Sequence, residues 1–239
     1  GSSSSTVPDG KTASGPGVAR GLLAHFRDRY LDVLASIYLY NEHRGYTSLD
    51  RVLAAVRARC PDDPDFIAAI TQHRADEEKH YRMFRRWFER KGRMPLAVDR
   101  GYGHIDHFIA FAFGVPIEGL DTAGVVAQPA AFERLCRVIA LTEQRGLAQV
   151  EILRRNGFVQ GDPVMRRIFA IIHADEPRHF LPYIAWLKRH GLPLALPRER
   201  MADWCIHKLL LLWKLPLLFL NLRARRLDRW PDADDVAPA

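Results

Sequence analysis

The stretch Asp76-Glu77-Glu78-Lys79-His80, DEEKH, returns later in the chain as Asp175-Glu176-Pro177-Arg178-His179, DEPRH. Each copy trails a shorter phrase, Glu42 with Arg44 and Gly45 before the first and Glu143 with Arg145 and Gly146 before the second. The chain thus repeats, at matched spacing, a lone glutamate followed by a Glu-x-x-His. Three positions along a helix put Glu and His on one face within reach of a single ion, and a lone Glu from a neighbouring helix can bridge. The candidate ligands are Glu42, Glu77, His80, Glu143, Glu176 and His179. Four carboxylates and two imidazoles are the complement of a two-metal site in a four-helix bundle.

Working outward, strand-like alternation is scarce, and long segments of helical periodicity are bounded by Pro, Gly, Asp and Asn. The pattern predicts an all-α fold with helices at roughly 19–59, 63–91, 129–155 and 162–190, and a fifth at roughly 198–228. The motif residues fall on the apolar stripes. Phe66, Ile70, His73, Glu77, His80, Phe84 and Trp87 step by four and three, as do Leu31, Ala35, Tyr38, Glu42, Gly45 and Leu49. Phe132, Cys136, Ile139, Glu143, Gly146 and Val150, then Ile168, Ile172, Glu176, His179 and Tyr183, follow the same rule. A buried ionised carboxylate costs several kcal/mol unless it is paired or binds a metal. Four at similar depth call for cations, and two divalent ions balance them, with the histidines as neutral donors.

Other residues take meaning from this frame. Asp76 and Asp175 precede the Glu of each ExxH, where an outer acid can accept the free imidazole N–H and fix the tautomer of a bound histidine. Gly45 and Gly146 each cost a helix interior about 1 kcal/mol, which close packing or room for dioxygen and substrate would explain. Tyr38, one turn before Glu42, is read either as a donor to a carboxylate or as a packed core tyrosine. Pro177 removes the bond to the His173 carbonyl and predicts a kink or widening beside the ligands.

The chain of 239 residues, 48% hydrophobic with 16 Gly and 15 Pro, suits one domain over 19–228, with disordered segments at 1–18 and 229–239. Cys60, Cys136 and Cys205 have no metal-knuckle spacing and read as core thiols. No secretory pattern is visible, so a cytoplasmic place is expected, with a peripheral position at the inner face of a membrane also in view. The net charge of +7 favours an anionic partner: nucleic acid, an acidic lipid surface or an acidic carrier protein.

On Glu42, Glu77, His80, Glu143, Glu176 and His179, the segment from about 25 to 190 resembles the ferritin-like di-iron carboxylate superfamily. The paired DExxH motifs look like those of its oxygen-activating branch, and HADEPRH at 173–179 is similar to the second iron motif of the acyl-carrier-protein desaturases. The resemblance implies a ferritin-like four-helix bundle, to which this chain adds a helical insertion between the helix pairs and an extra C-terminal helix. It also implies two Fe ions, with Mn or a mixed Fe/Mn pair allowed by the same ligands. The expected activity is that of a di-iron oxidase or oxygenase using dioxygen to hydroxylate, desaturate or otherwise oxidise a hydrophobic substrate, such as a lipid, quinone or carrier-bound acyl chain. An external electron donor is implied, since no redox-cofactor motif is present, and a homodimer is an open expectation. A tRNA hydroxylase, suited to the positive charge, and a non-catalytic ferroxidase are the alternatives, with nucleic acid the less favoured partner. The absent rubredoxin-type cysteines and the insertion at 93–128 count against peroxide scavenging and iron storage.

Two further segments stay outside the metal set. Leu209–Leu220, LLLLWKLPLLFL, is too short and interrupted to span a bilayer, leaving a packed fifth helix, an interfacial helix with a basic end, or an oligomer contact as readings. In the insertion, His104 and His107 lie a turn apart but form a weak ligand pair, and the apolar HFIAFAFGVPIEGL suits a cover over one end of the bundle.

Overall fold

The structure, a computed structural model, describes residues 16–231. Among them there are helices and turns but no strand, and an isolated antiparallel bridge joins Leu96 to Arg226. Four long rods carry the motifs. They are α1 (Pro16–Arg59), α2 (Pro64–Arg90), α5 (Pro129–Leu153) and, after the single turn α6 (Gly157–Gln160), a jointed pair, α7 (Pro163–Asp175) with α8 (Pro177–Arg189). Local chemistry sets their ends. Asp63 caps α2 by accepting from the Phe66 N–H at 3.1 Å, with Pro64 in the first turn. Asp162 caps α7 in the same way through Val164 and Met165, again ahead of a proline. Gly92 and Gly191, at φ 64° and 65°, close α2 and α8 in the left-handed conformation that glycine takes without strain.

α1 packs along α2, α5 along α8, and α2 meets both α7 and α8. α1 and α5 have little direct contact, and the groove between them is filled by shorter elements. α4 (Thr122–Ala127) packs on both, and α3 (His104–Phe113) lies against α5 and α9 (Pro197–Leu209). The insertion thus covers a side of the bundle rather than an end. The arginine of each repeated phrase holds this cover in place. Arg44 is buried against Asp106 of α3, at 2.8 Å, and Glu118, while Arg145 pairs with Asp203 of α9.

Two apolar layers sandwich the motif level. One gathers Leu31, Leu39, Phe84, Trp87, Phe169 and Ile172, the other Val56, Phe66, Ile70, Cys136, Tyr183 and Leu187. Between them lie the buried acids and imidazoles of positions 42, 77, 80, 176 and 179.

Several boundaries differ from expectation. The fourth helix is two, broken at Glu176, because Pro177 has no N–H; the chain turns tightly there, the His179 N–H reaching the Glu176 carbonyl at 2.9 Å. The fifth ends at Leu220 and passes through a π-helical turn, Leu210–Lys214, into α10 (Leu215–Leu220). That wide turn sits just ahead of Pro216, whose ring would crowd the Leu212 carbonyl in a regular helix. α1 begins at Pro16, and Trp230 packs against the core with Tyr81 donating to the Pro231 carbonyl at 3.1 Å, so 16–18 and 229–231 are structured; the remainder of both expected disordered ends lies outside the described residues. Cys136 is buried but Cys205 is exposed, so the thiols are not all core.

Candidate metal centre

The amphipathic stripes bring the repeated residues into one layer. One ligand atom from each of Glu42, Glu77 and His80 lies within 4.8 Å of the others, and the same holds for His73, Glu77, Glu143 and His179. Glu77 belongs to both groups and so occupies a bridging position. Glu176 adjoins the second group, its Oε2 3.8 Å from His179 Nδ1. His80 Nδ1 faces Glu42 Oε2 at 3.2 Å, and His179 Nδ1 faces Glu77 Oε1 at 3.3 Å. Both rings therefore turn Nδ1 inward and Nε2 outward.

The outward nitrogens point crosswise. His80 Nε2 meets Asp175 Oδ2 at 3.0 Å, and His179 Nε2 lies 3.6 Å from Asp76 Oδ2, so each imidazole faces the aspartate of the other motif. Lys79 Nζ donates to both aspartates, at 2.6 Å to each, and Arg178 pairs with both from the other side. Burial favours the neutral form of Asp76, but His179 and Lys79 outweigh it and hold the carboxyl well below the usual range. The position before each ExxH histidine, Lys79 and Arg178, was legible as a repeat of positive charge, although its role depends on a neighbouring helix.

The glycines fit the expectation of close packing, and both also border a cavity. A Cβ on Gly45 would fall on the Glu77 carboxylate, and one on Gly146 would stand 3.3 Å from Glu176 Oε1. The missing side chains make room for glutamates from the facing helices. Tyr38 packs against Phe84 and Phe169, with ring centroids 5.4 and 5.0 Å away, and borders a cavity over the acidic layer. Burial and then the charges of Glu176 and Glu42 raise its phenol well above the ordinary value.

His73 is the residue that motif reasoning missed. It lies on the α2 stripe one turn before Glu77, stacks on His179 at 4.3 Å between ring centroids, and holds Nε2 3.6 Å from Glu143 Oε1. The equivalent position of the second motif is Ile172, so the repeat gave no cue. His104 and His107 stay apart from the layer: His104 Nε2 meets Asp203 at 3.0 Å, and His107 the Gly101 carbonyl at 3.2 Å.

The electrostatics describe a cluster short of positive charge. Burial, then the Glu42 carboxylate, pushes Glu77 up to about 7. Burial and the charge of Glu143 hold Glu176 well above the carboxylate range. Burial opposes charge on His80, yet Glu42 and Asp175 outweigh it and raise the ring to about 10. Protons thus occupy sites where acids and imidazoles converge. His73 Nε2, His179 Nδ1 and Glu176 Oε2 are buried without a well-formed hydrogen bond. Orphaned donors and acceptors aimed at one place fit a bound cation.

No family model, curated protein or solved structure matches this chain. The functional reading therefore rests on the centre and its surroundings.

A cavity of about 180 Å³ opens on the α1–α5 side of the layer. Its floor includes Glu42, Glu77, Glu143 and Glu176, with Gly45 and Gly146 beside them and Leu210, Leu211 and Leu215 opposite. A smaller apolar chamber of about 60 Å³, lined by Leu49, Val52, Ile109 and Ile117, reaches Gly45, His73 and Glu143.

Proposed function

We propose that this chain is a ferritin-like di-metal protein, with iron the favoured metal, that uses dioxygen to oxidise an apolar organic substrate. The observation that carries this reading is the shared position of Glu77 between two groups of inward-facing ligands, which floor a cavity with leucines on one wall. Glu42, Glu77 and His80 would hold one ion, and Glu143, Glu176 and His179 the other, with His73 a further donor on the second side. When bound, such a pair supplies redox and dioxygen chemistry that side chains alone lack.

The protein's own residues do the rest. Asp76 and Asp175 orient the imidazoles, and Lys79 and Arg178 neutralise those aspartates so that they do not compete for the ions. Leu210, Leu211 and Leu215 give one wall of the chamber an apolar surface on which an apolar group can pack. A cavity of this kind serves an organic substrate better than it serves iron storage or a nucleic-acid base on a bulky polymer. An external electron donor remains part of the proposal.

Metal analysis of protein purified from iron-supplemented cells tests the core of it. About two ions per chain are expected from the ligand complement. Glu77→Ala and Glu176→Ala each lower that number, whereas His104→Ala leaves it unchanged. A reconstituted sample holding no metal would overturn the assignment, and loss of both ions in His104→Ala would show that the ligands lie elsewhere.

A further inference from the structure

The leucine-rich stretch 209–220, from the end of α9 to the end of α10, is apolar on both of its faces but for Lys214. Leu210, Leu211 and Leu215 line the cavity over the acidic layer. Around the other side Met201, Trp204, Leu209, Leu212, Trp213, Leu217 and Leu220 are exposed, Leu212 by 66%, Trp213 by 65% and Leu220 by 71%. A helix that is apolar all round is normally buried, so the outer face of this one lacks its cover. Phe26 of α1, itself half exposed, packs on Phe219 and extends the apolar area beyond the helix.

Charge decides what covers it. Between Pro197 and Leu227 the acids are Glu199 and Asp203, and both are buried in ion pairs, with Arg137 and Arg145 of α5. The bases Arg198, Arg200, Arg223 and Arg225 are exposed and form no ion pair with any described residue, and Lys208 lies over the Trp204 ring at 6.0 Å. The inner face is thus anchored by the acids between Pro197 and Leu227, and the outer face presents leucine and tryptophan flanked by cations that no described acid pairs. That combination suits an interfacial helix lying in an anionic headgroup layer. A second copy of the chain would bring the same cations against one another. Among the described residues no helix is long and apolar enough to cross a membrane, so the contact is at the surface.

We propose that the outer face of α9 and α10 docks on an anionic bilayer, setting the wall of the cavity against the lipid. Leu211 is both exposed and part of the cavity lining, so the docked face and the chamber are continuous. The docking stands whether or not the centre holds metal, because none of its residues is a ligand.

Co-sedimentation of the full chain with vesicles of phosphatidylcholine, with and without phosphatidylglycerol, tests it. Binding to the phosphatidylglycerol vesicles is expected, weakening as salt is raised. Joint replacement Leu212→Glu and Trp213→Glu should weaken it at least about tenfold, two large apolar side chains being lost from the contact. Arg223→Glu with Arg225→Glu should weaken binding to the anionic vesicles while leaving the apolar face intact. Both pairs are exposed, so an unchanged melting temperature confirms that the fold survives. Absence of vesicle binding would overturn the proposal, as would equal binding by the Leu212/Trp213 variant. A dimer in sedimentation velocity that the same variant abolishes would also overturn it, by showing that a second copy covers this face.

Discussion

A methyl group at Gly45 collides with the Glu77 carboxylate, whereas one at Gly146 meets Glu176 Oε1 at 3.3 Å, a contact that a small shift relieves. The two alanine variants should therefore part company. Exchanging a helical glycine for alanine favours the helix by about 1 kcal/mol, so Gly146→Ala should melt slightly higher and keep its metal. Gly45→Ala should bind metal at least about tenfold more weakly, a change of about 1.4 kcal/mol, because its bridging glutamate is displaced. Metal titration with calorimetry reads both, and equal behaviour of the two would refute the steric account. At this scale the sequence was informative about which residues turn inward, since Glu42, Glu77, His80, Glu176 and His179 all sit on apolar stripes and all are buried. Partnership across helices was less legible. Periodicity assigns a residue to a face but not to a neighbour, so neither the Asp76–His179 approach nor the stacking of His73 on His179 could be read from spacing.

At the scale of the element, the break at Glu176 matters most. Pro177 denies the His173 carbonyl its helical donor, and the tight turn that results sets the relative aim of Glu176 and His179. Restoring the donor with Pro177→Ala should leave the melting temperature of metal-free protein unchanged or higher. Metal binding should weaken, since a regular helix would swing the two side chains out of register. A variant that melts lower yet binds metal normally would show that the proline serves only the fold. The proline was visible in the sequence as a local irregularity. The π-helical turn at Leu210–Lys214 was not, because a leucine run carries no mark of where its winding changes. The cover of the α1–α5 groove was half legible: HFIAFAFGVPIEGL announced an apolar surface to bury, but the anchoring of α3 and α9 by Arg44 and Arg145 depends on acids far off in the chain.

For the molecule as a whole, the buried acids make stability depend on pH and on metal together. Glu77 stands at about 7 in the fold against an ordinary 4.5. Its neutral form suits the buried site, so the stability it contributes is complete below 4.5 and is lost as pH rises through about 7. Glu176, also raised, acts in the same direction, whereas Asp76 and Glu143 are lowered and exert their effect only in more acidic solution. Metal-free protein should thus lose stability across that window. Metal-loaded protein should show little change there, because cations replace the protons. Scanning calorimetry with and without a chelator decides it, and a metal-free melting temperature that rises with pH over the same window would contradict the assignment.

The crossed aspartates carry a consequence for how the molecule can be divided. His80 in the first half is steadied by Asp175 in the second, and His179 in the second faces Asp76 in the first. Lys79 and Arg178 each clasp both acids, one from their own half and one from the other, so the outer framework of the centre ties the halves together. A protein severed between α4 and α5 leaves each fragment with its histidine and without that histidine's acid. The fragments can recover a centre only by re-associating, and two copies of one half, related by a twofold axis, could supply each other with the same missing acid.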